Sequence, residues 1–237
     1  MKYASQPLQT YGVVLQDGTD FACMRTRNTL KLLLKLDESK ATGHDQIPAK
    51  FLKKVAHCIA APLTKICRRM FHEGCWPECW KLHTICPLYK KKSAFDPGNY
   101  RGVHLTPILS KIAEHVIGKY LIDYLRKNSF GPNQWAFTPG RSARDLVTCL
   151  MMKWILAFSK GLKVGAYLGD ITGAFDRVCK EYLMAKFQAA GVGENFLKFM
   201  DSYLEARIGR VVVEGEMSDD IVIDNSVFQD TVLDPTL

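Results

Sequence analysis

The chain has 237 residues, 47% hydrophobic and 24% charged, with 17 Gly and 10 Pro, enough to bury a real core and too ordinary in composition for a low-complexity, collagen-like or solenoid protein. Its formal net charge of +8 favours a polyanionic partner, because clustered Lys and Arg attract phosphates and release condensed counterions. The opening MKYASQPLQTYGVV lacks the apolar stretch of a signal peptide, and no run of about 18 apolar residues exists, which excludes a membrane-spanning helix; the eight scattered Cys then read as reduced thiols of an intracellular protein.

Residues 1–20 show neither helical nor strand periodicity, and 25–36 read as a short amphipathic helix through Leu30, Leu33 and Leu34. After the turn KATGHDQIP, a helix is expected over 49–73. Phe51, Leu52, Val55 and Ile59 form its apolar stripe, continued by Leu63, Ile66 and Met70. Pro62 should kink or split it, and Gly74 should end it. Residues 84–89 (TICPLY) and 102–105 flank the basic stretch KKKSAFDPGNYR and suggest a β-hairpin with a cationic tip. Thr106-Pro107 looks like an N-cap with Pro at the first helical position, opening a helix with Ile108, Ile112, Ile122 and Leu125 that breaks at 128–132.

Ser142 and Asp145 resemble a capping box, leading a helix with Leu146, Leu150, Met151, Trp154, Ile155 and Phe158, stopped at Lys160-Gly161. Residues 163–168 (KVGAYL) are a buried-strand candidate. Two further helices carry Leu183 and Phe187, then Phe196, Phe199, Met200 and Tyr203, and two strands, 210–214 and 221–224, close the chain around GEMSDD. Helices mixed with short antiparallel strands give an α+β class.

The densest chemistry lies in YLGDITGAFDRV, where an apolar strand would deliver Asp170 at its end, a place suited to holding Mg²⁺ together with phosphate oxygens. A capping carboxylate at a turn is the plainer reading of Asp170, as a helix cap or ion pair is of Asp176. KKK could equally be a solvated loop. His72, Cys75, Cys79 and His83 offer two imidazoles and two thiolates for Zn²⁺, but paired CxxC spacing is missing, and Trp76 and Trp80 fit core or hinge packing better.

In this order the segments resemble the reverse-transcriptase domain of non-LTR (LINE-type) retrotransposons. KATGHDQIP is similar to a fingers motif usually written KA.GPDGIP, with His44 and Gln46 in place of Pro and Gly. PLYKKKSAFDPGNYRGVHLTPILSKIAEHVI resembles the fingers hairpin and its following helix, NQWAFTPGRSARD a template-side segment, YLGDITGAFDRV the first palm motif, and FQDTVLDP the second. The resemblance implies a right-hand polymerase fold. It gives an N-terminal extension and opening helix over 1–40, a fingers-like region over 41–162 and a partial palm over 163–237, with the thumb absent.

It further implies RNA-templated DNA synthesis from dNTPs on an RNA template and DNA primer. Asp170 would be the catalytic metal ligand for Mg²⁺, aided by the Ile171 carbonyl. Lys90 and Arg101 would hold the triphosphate, Phe175 would lie under the sugar and Gln229 would contact the nucleotide. Gln134, Arg141 and Arg144 would follow the template. Two departures stand out: Asp230 and Asp234 occupy positions where the family has Gly, and the Tyr-x-Asp-Asp hairpin would lie beyond Leu237. Two-metal catalysis needs carboxylates from both strands, so the chain alone is expected to be inactive; the alternative is a non-catalytic nucleic-acid-binding remnant of a degraded retroelement.

Overall fold

Helix α1 (Thr26–Leu34) turns Thr29 and Leu33 inward. The structure, a computed structural model, describes residues 24–128, 131–171 and 173–223 together with Val227 and Leu233. The stretch over 1–20 and the residues Gln229, Asp230 and Asp234 lie outside the described residues. The long helix expected over 49–73 divides at Val55 rather than at Pro62, giving α2 (Ala49–Lys54) and α3 (Ala56–Glu73). Pro62 sits inside α3 on its exposed side, where the missing amide costs one ladder bond and buried Ala60, Leu63 and Thr64 still hold the helix on the core. Gly74 ends α3 at φ 63° in the left-handed region, as its position suggests.

The buried stripe is rotated from the one expected. Leu52, Ala56, Ala60, Leu63, Cys67 and Met70 face the core, while Phe51 and Ile66 are exposed. Small residues let α1 approach α3 closely enough for a buried hydroxyl pair, Thr29 Oγ1 and Thr64 Oγ1 at 2.7 Å. Thr64 already donates to the Ala60 carbonyl, so Thr29 is the donor of the pair. Burial pushes the Cys67 thiol up to about 12, which keeps it inert.

Strands β1 (Leu82–Tyr89) and β2 (Tyr100–Leu105) form the expected antiparallel hairpin. Helix α4 (Ile108–Asn128) follows it. Thr106 does not cap α4: its hydroxyl is buried without a hydrogen-bond partner, and Ser110 Oγ instead donates to the Pro107 carbonyl. Helix α5 (Ala143–Ser159) opens on the expected capping box, with Ser142 and Asp145 side chains each accepting from the other's backbone amide. Residues 160–171 then carry no strand, and Tyr167 and Leu168 are almost fully exposed. The expected KVGAYL strand is therefore absent among the described residues, because nothing pairs with it and a lone strand leaves its backbone to water.

Helices α6 (Lys180–Ala189) and α7 (Glu194–Leu204) bury the apolar residues read from their periodicity. After them β3 (Arg207–Val213), β4 (Glu216–Met217) and β5 (Ile221–Ile223) complete a five-stranded mixed sheet. β3 runs parallel to β1, with Leu82 opposite Ile208, and antiparallel to β4 and β5. α7 packs on α3 through Phe71, Trp76, Phe196, Phe199 and Tyr203, whose rings meet edge-on or tilted. Residues 180–213 thus return to the sheet and helices of the first half. The observed class is α+β, and no helix among the described residues is long and apolar enough to cross a membrane.

Candidate nucleic-acid interface

The hairpin tip is built from local hydrogen bonds. Asp96 Oδ1 accepts from the Gly98 amide at 2.9 Å, Asn99 Nδ2 donates to the Ser93 carbonyl at 2.9 Å, and Tyr100 donates to the Ala94 carbonyl at 2.8 Å. The Lys90 amide donates to the Asn99 carbonyl at 2.9 Å, extending the ladder one step past β1. Leu88 lies opposite Arg101. Lys90, two residues on, therefore shares Arg101's face, at the diagonal spacing of about 7–8 Å. Both residues are exposed, beside Lys91, Lys92 and a Phe95 that is 98% exposed. A bonded scaffold so presents two cations on one face with a projecting ring, suited to phosphates and stacked bases.

The 131–142 loop is tied together by Arg141. Its Nη1 donates to the Pro132 and Gln134 carbonyls at 2.6 and 2.8 Å, and its guanidinium lies 5.1 Å from the Trp135 ring. Gln134 and Arg141 are thus brought together, with Arg141 engaged in the structure of the turn. Arg126 joins from α4, donating to the Phe137 carbonyl at 2.8 Å. Arg144 is exposed in the first turn of α5.

Asp170 and Ile171 occupy the irregular stretch after α5, both exposed. The strand terminus expected to fix Asp170 is not formed, so its carboxylate is held by no β-ladder. Phe175 is half-buried at the start of a 3-10 turn (Phe175–Arg177), and its carbonyl accepts from the Val227 amide at 3.0 Å. Val227 is buried, and Leu233 packs into the notch that Gly118 leaves on α4, where a Cβ would meet Leu233 Cδ2 at 2.4 Å. The 3-10 turn thus bonds to Val227, just before the FQDTVLDP stretch, and Leu233 within that stretch packs on α4. Among the described residues no group of three His, Cys, Asp or Glu side chains is placed to hold a metal ion. His83 instead faces His104 with ring centroids 5.7 Å apart, while Cys75 Sγ points to Glu73 at 3.8 Å.

The sheet buries unusual polar side chains. Arg207 is 1% exposed at the start of β3, and burial lowers its guanidinium to about 10, still charged at neutral pH. Burial, followed by the neighbouring His104 and Arg207, lowers His83 to about 2. On the open side of the sheet, a cavity of about 490 Å³ lies between the 42–46 loop and strands β1, β3 and β4. Its walls include His44, Gln46, Thr84 and Arg210, over an apolar base of Leu82, Val212 and Met217.

No protein-family model matches the chain. It is similar to the RNA-directed DNA polymerase from mobile element jockey of Drosophila melanogaster, at 30% identity over 87% of this chain and 23% of that protein. From the same organism, the probable RNA-directed DNA polymerase from transposon X-element is 25% identical over 87% of this chain and 23% of its own length. That from transposon BS is 26% identical over 98% of this chain and 26% of its own length. The chain spans about a quarter of the length of these curated relatives. Collinear motifs and similarity across nearly its whole length lead to one conclusion: the chain belongs to the reverse transcriptases of non-LTR retrotransposons.

Proposed function

We propose that this chain carries the nucleotide- and template-gripping part of a retrotransposon reverse transcriptase. The region over 41–162 acts as fingers, and that over 163–237 as a partial palm whose α6, α7 and β3 return to the fingers sheet. Lys90 and Arg101 bind the triphosphate of an incoming dNTP, since phosphoryl transfer depends chiefly on positioning and charge neutralisation. Phe175 bears on the sugar and Gln229 on the nucleotide, while Gln134, Arg141 and Arg144 line the path of an RNA template paired to a DNA primer. The observation that carries the reading is the 3.0 Å hydrogen bond from the Val227 amide to the Phe175 carbonyl, which ties the segment resembling the first palm motif to the residue just before the one resembling the second.

Asp170 is the carboxylate this lineage would use for Mg²⁺, with the Ile171 carbonyl beside it. A two-ion site needs further carboxylates, and no metal-binding group is formed among the described residues, so those residues do not fit such a site by themselves. The second reading is binding without catalysis by this chain alone.

Titration of a fluorescent dNTP analogue tests the grip: Lys90→Ala and Arg101→Ala are each expected to weaken binding about tenfold, the worth of one charge-assisted contact. Unchanged affinity in both variants would remove the hairpin from the site. Primer extension separates the two readings. The wild-type chain is expected to extend nothing, and extension that disappears in Asp170→Ala would establish catalysis instead.

A further inference from the structure

The cavity beside the 42–46 loop is unused by the site described above. Two of its wall residues, His44 and Gln46, stand where the family pattern has Pro and Gly, residues without a polar side chain. Gln46 adopts φ 53°, the left-handed region that Gly enters without strain, so this chain keeps a strained residue there. The loop is pressed close to the hairpin's exit: a Cβ on Gly43 would sit 2.4 Å from Pro107 N. His44 Nδ1 is shielded from solvent and meets no hydrogen-bond partner. With Nδ1 bonded to no protein group, no hydrogen bond at that atom fixes the imidazole ring, which leaves it polar capacity for a ligand.

We propose that this cavity holds one unstacked base of a single-stranded nucleic acid, read by Gln46 and His44; this rests on the nucleic-acid-binding function proposed above. The cavity volume suits a small planar ligand. Leu82, Val212 and Met217 supply an apolar surface for the face of a base, and the Gln46 carboxamide supplies the adjacent donor and acceptor that pair with a base edge. Thr84 adds a hydroxyl from β1. A phosphate is the poorer occupant, because Arg210 is already bonded to Asp220, and Asp219 lines the adjoining hollow that shares Arg210 and Met217 with the cavity.

Fluorescence anisotropy with short A, C and U or T homopolymers, each as RNA and as DNA, at about 150 mM salt tests the proposal on the full chain. The wild type is expected to prefer one base about tenfold over the least favoured, the worth of one good base-edge contact. RNA and DNA arms with the same preference identify the base itself as what is read; a preference found only in RNA assigns part of it to the sugar. The double variant His44→Ala/Gln46→Gly should bind all homopolymers alike, with its melting temperature no lower than the wild type's, because Gly relieves the left-handed strain. Thr84→Val, which keeps the strand's shape, should narrow the preference partway. A wild type without preference, or a double variant that keeps its full preference, overturns the inference while leaving nucleic-acid binding intact. Absence of binding to every homopolymer, even at low salt, overturns both.

Discussion

Gly43 and Gln46 show how one short turn carries opposite demands. At Gly43 any side chain strikes the Thr106 and Pro107 backbone, which cannot swing aside as a side chain could. Gly43→Ala is therefore expected to destabilise the protein by about 1–3 kcal/mol, measured by urea unfolding. Gln46→Gly should stabilise it by about 1 kcal/mol by releasing the left-handed residue, and a lower unfolding midpoint in that variant would contradict the backbone argument. His83 adds a pH dependence. Its folded value is depressed from 6.5 to about 2, so the unfolded chain binds the extra proton throughout that window. Stability is complete above pH 6.5 and is lost as the pH falls, by about 2 kcal/mol between pH 6.5 and 5. Burial lowers His115 as well and contributes in the same direction. His83→Gln should flatten most of this slope, and a variant with the wild-type slope would show that His83 is not its source.

Helices α4, α6 and α7 follow their sequence periodicity because each lays one apolar stripe on a neighbour already present in the fold, whereas α1 buries Leu33 with Thr29 and leaves Leu34 exposed. The capping box of α5 was equally legible, since the bonds it requires lie within one turn. What lies beyond that turn was not. α5 has no buried residue, and Val147, Leu150, Met151, Met152, Ile155, Leu156 and Phe158 are all exposed. Apolar character on every face predicts burial, yet among the described residues nothing covers this helix, and the neighbouring 163–168 segment is likewise uncovered. The purified chain is expected to bind an apolar dye and to self-associate with rising concentration. Ile155→Glu with Leu156→Glu should suppress association in sedimentation experiments without lowering the melting temperature. A large fall in melting temperature would mean that these side chains support the fold.

At the scale of the whole molecule, the +8 charge is unevenly placed. Lys90, Lys91, Lys92 and Arg101 gather at one exposed hairpin end, and elsewhere Lys180 and Lys198 form ion pairs with Asp201 and Glu194 at 2.9 and 2.7 Å. If the four hairpin cations contact phosphates, the logarithm of the binding constant for an RNA–DNA hybrid should fall with log salt at a slope of about −3.6. Replacing Lys91 and Lys92 by Ala should reduce that slope by about half, and a salt-independent affinity would remove the hairpin from the interface.

The sequence by itself determined the lineage, the helices with one clear stripe, the hairpin and the local caps, because each is encoded within one motif, one heptad or one turn. Only the tertiary structure decided that β3 lies parallel to β1, that Arg207 and His83 are buried beneath that pairing, and that Phe175 meets Val227. It also decided against a strand at 163–168, leaving Asp170 exposed rather than fixed at a ladder's end. These outcomes depend on partners distant in the chain: a strand forms only where another strand accepts its hydrogen bonds, and periodicity within a segment carries no record of whether that partner arrives.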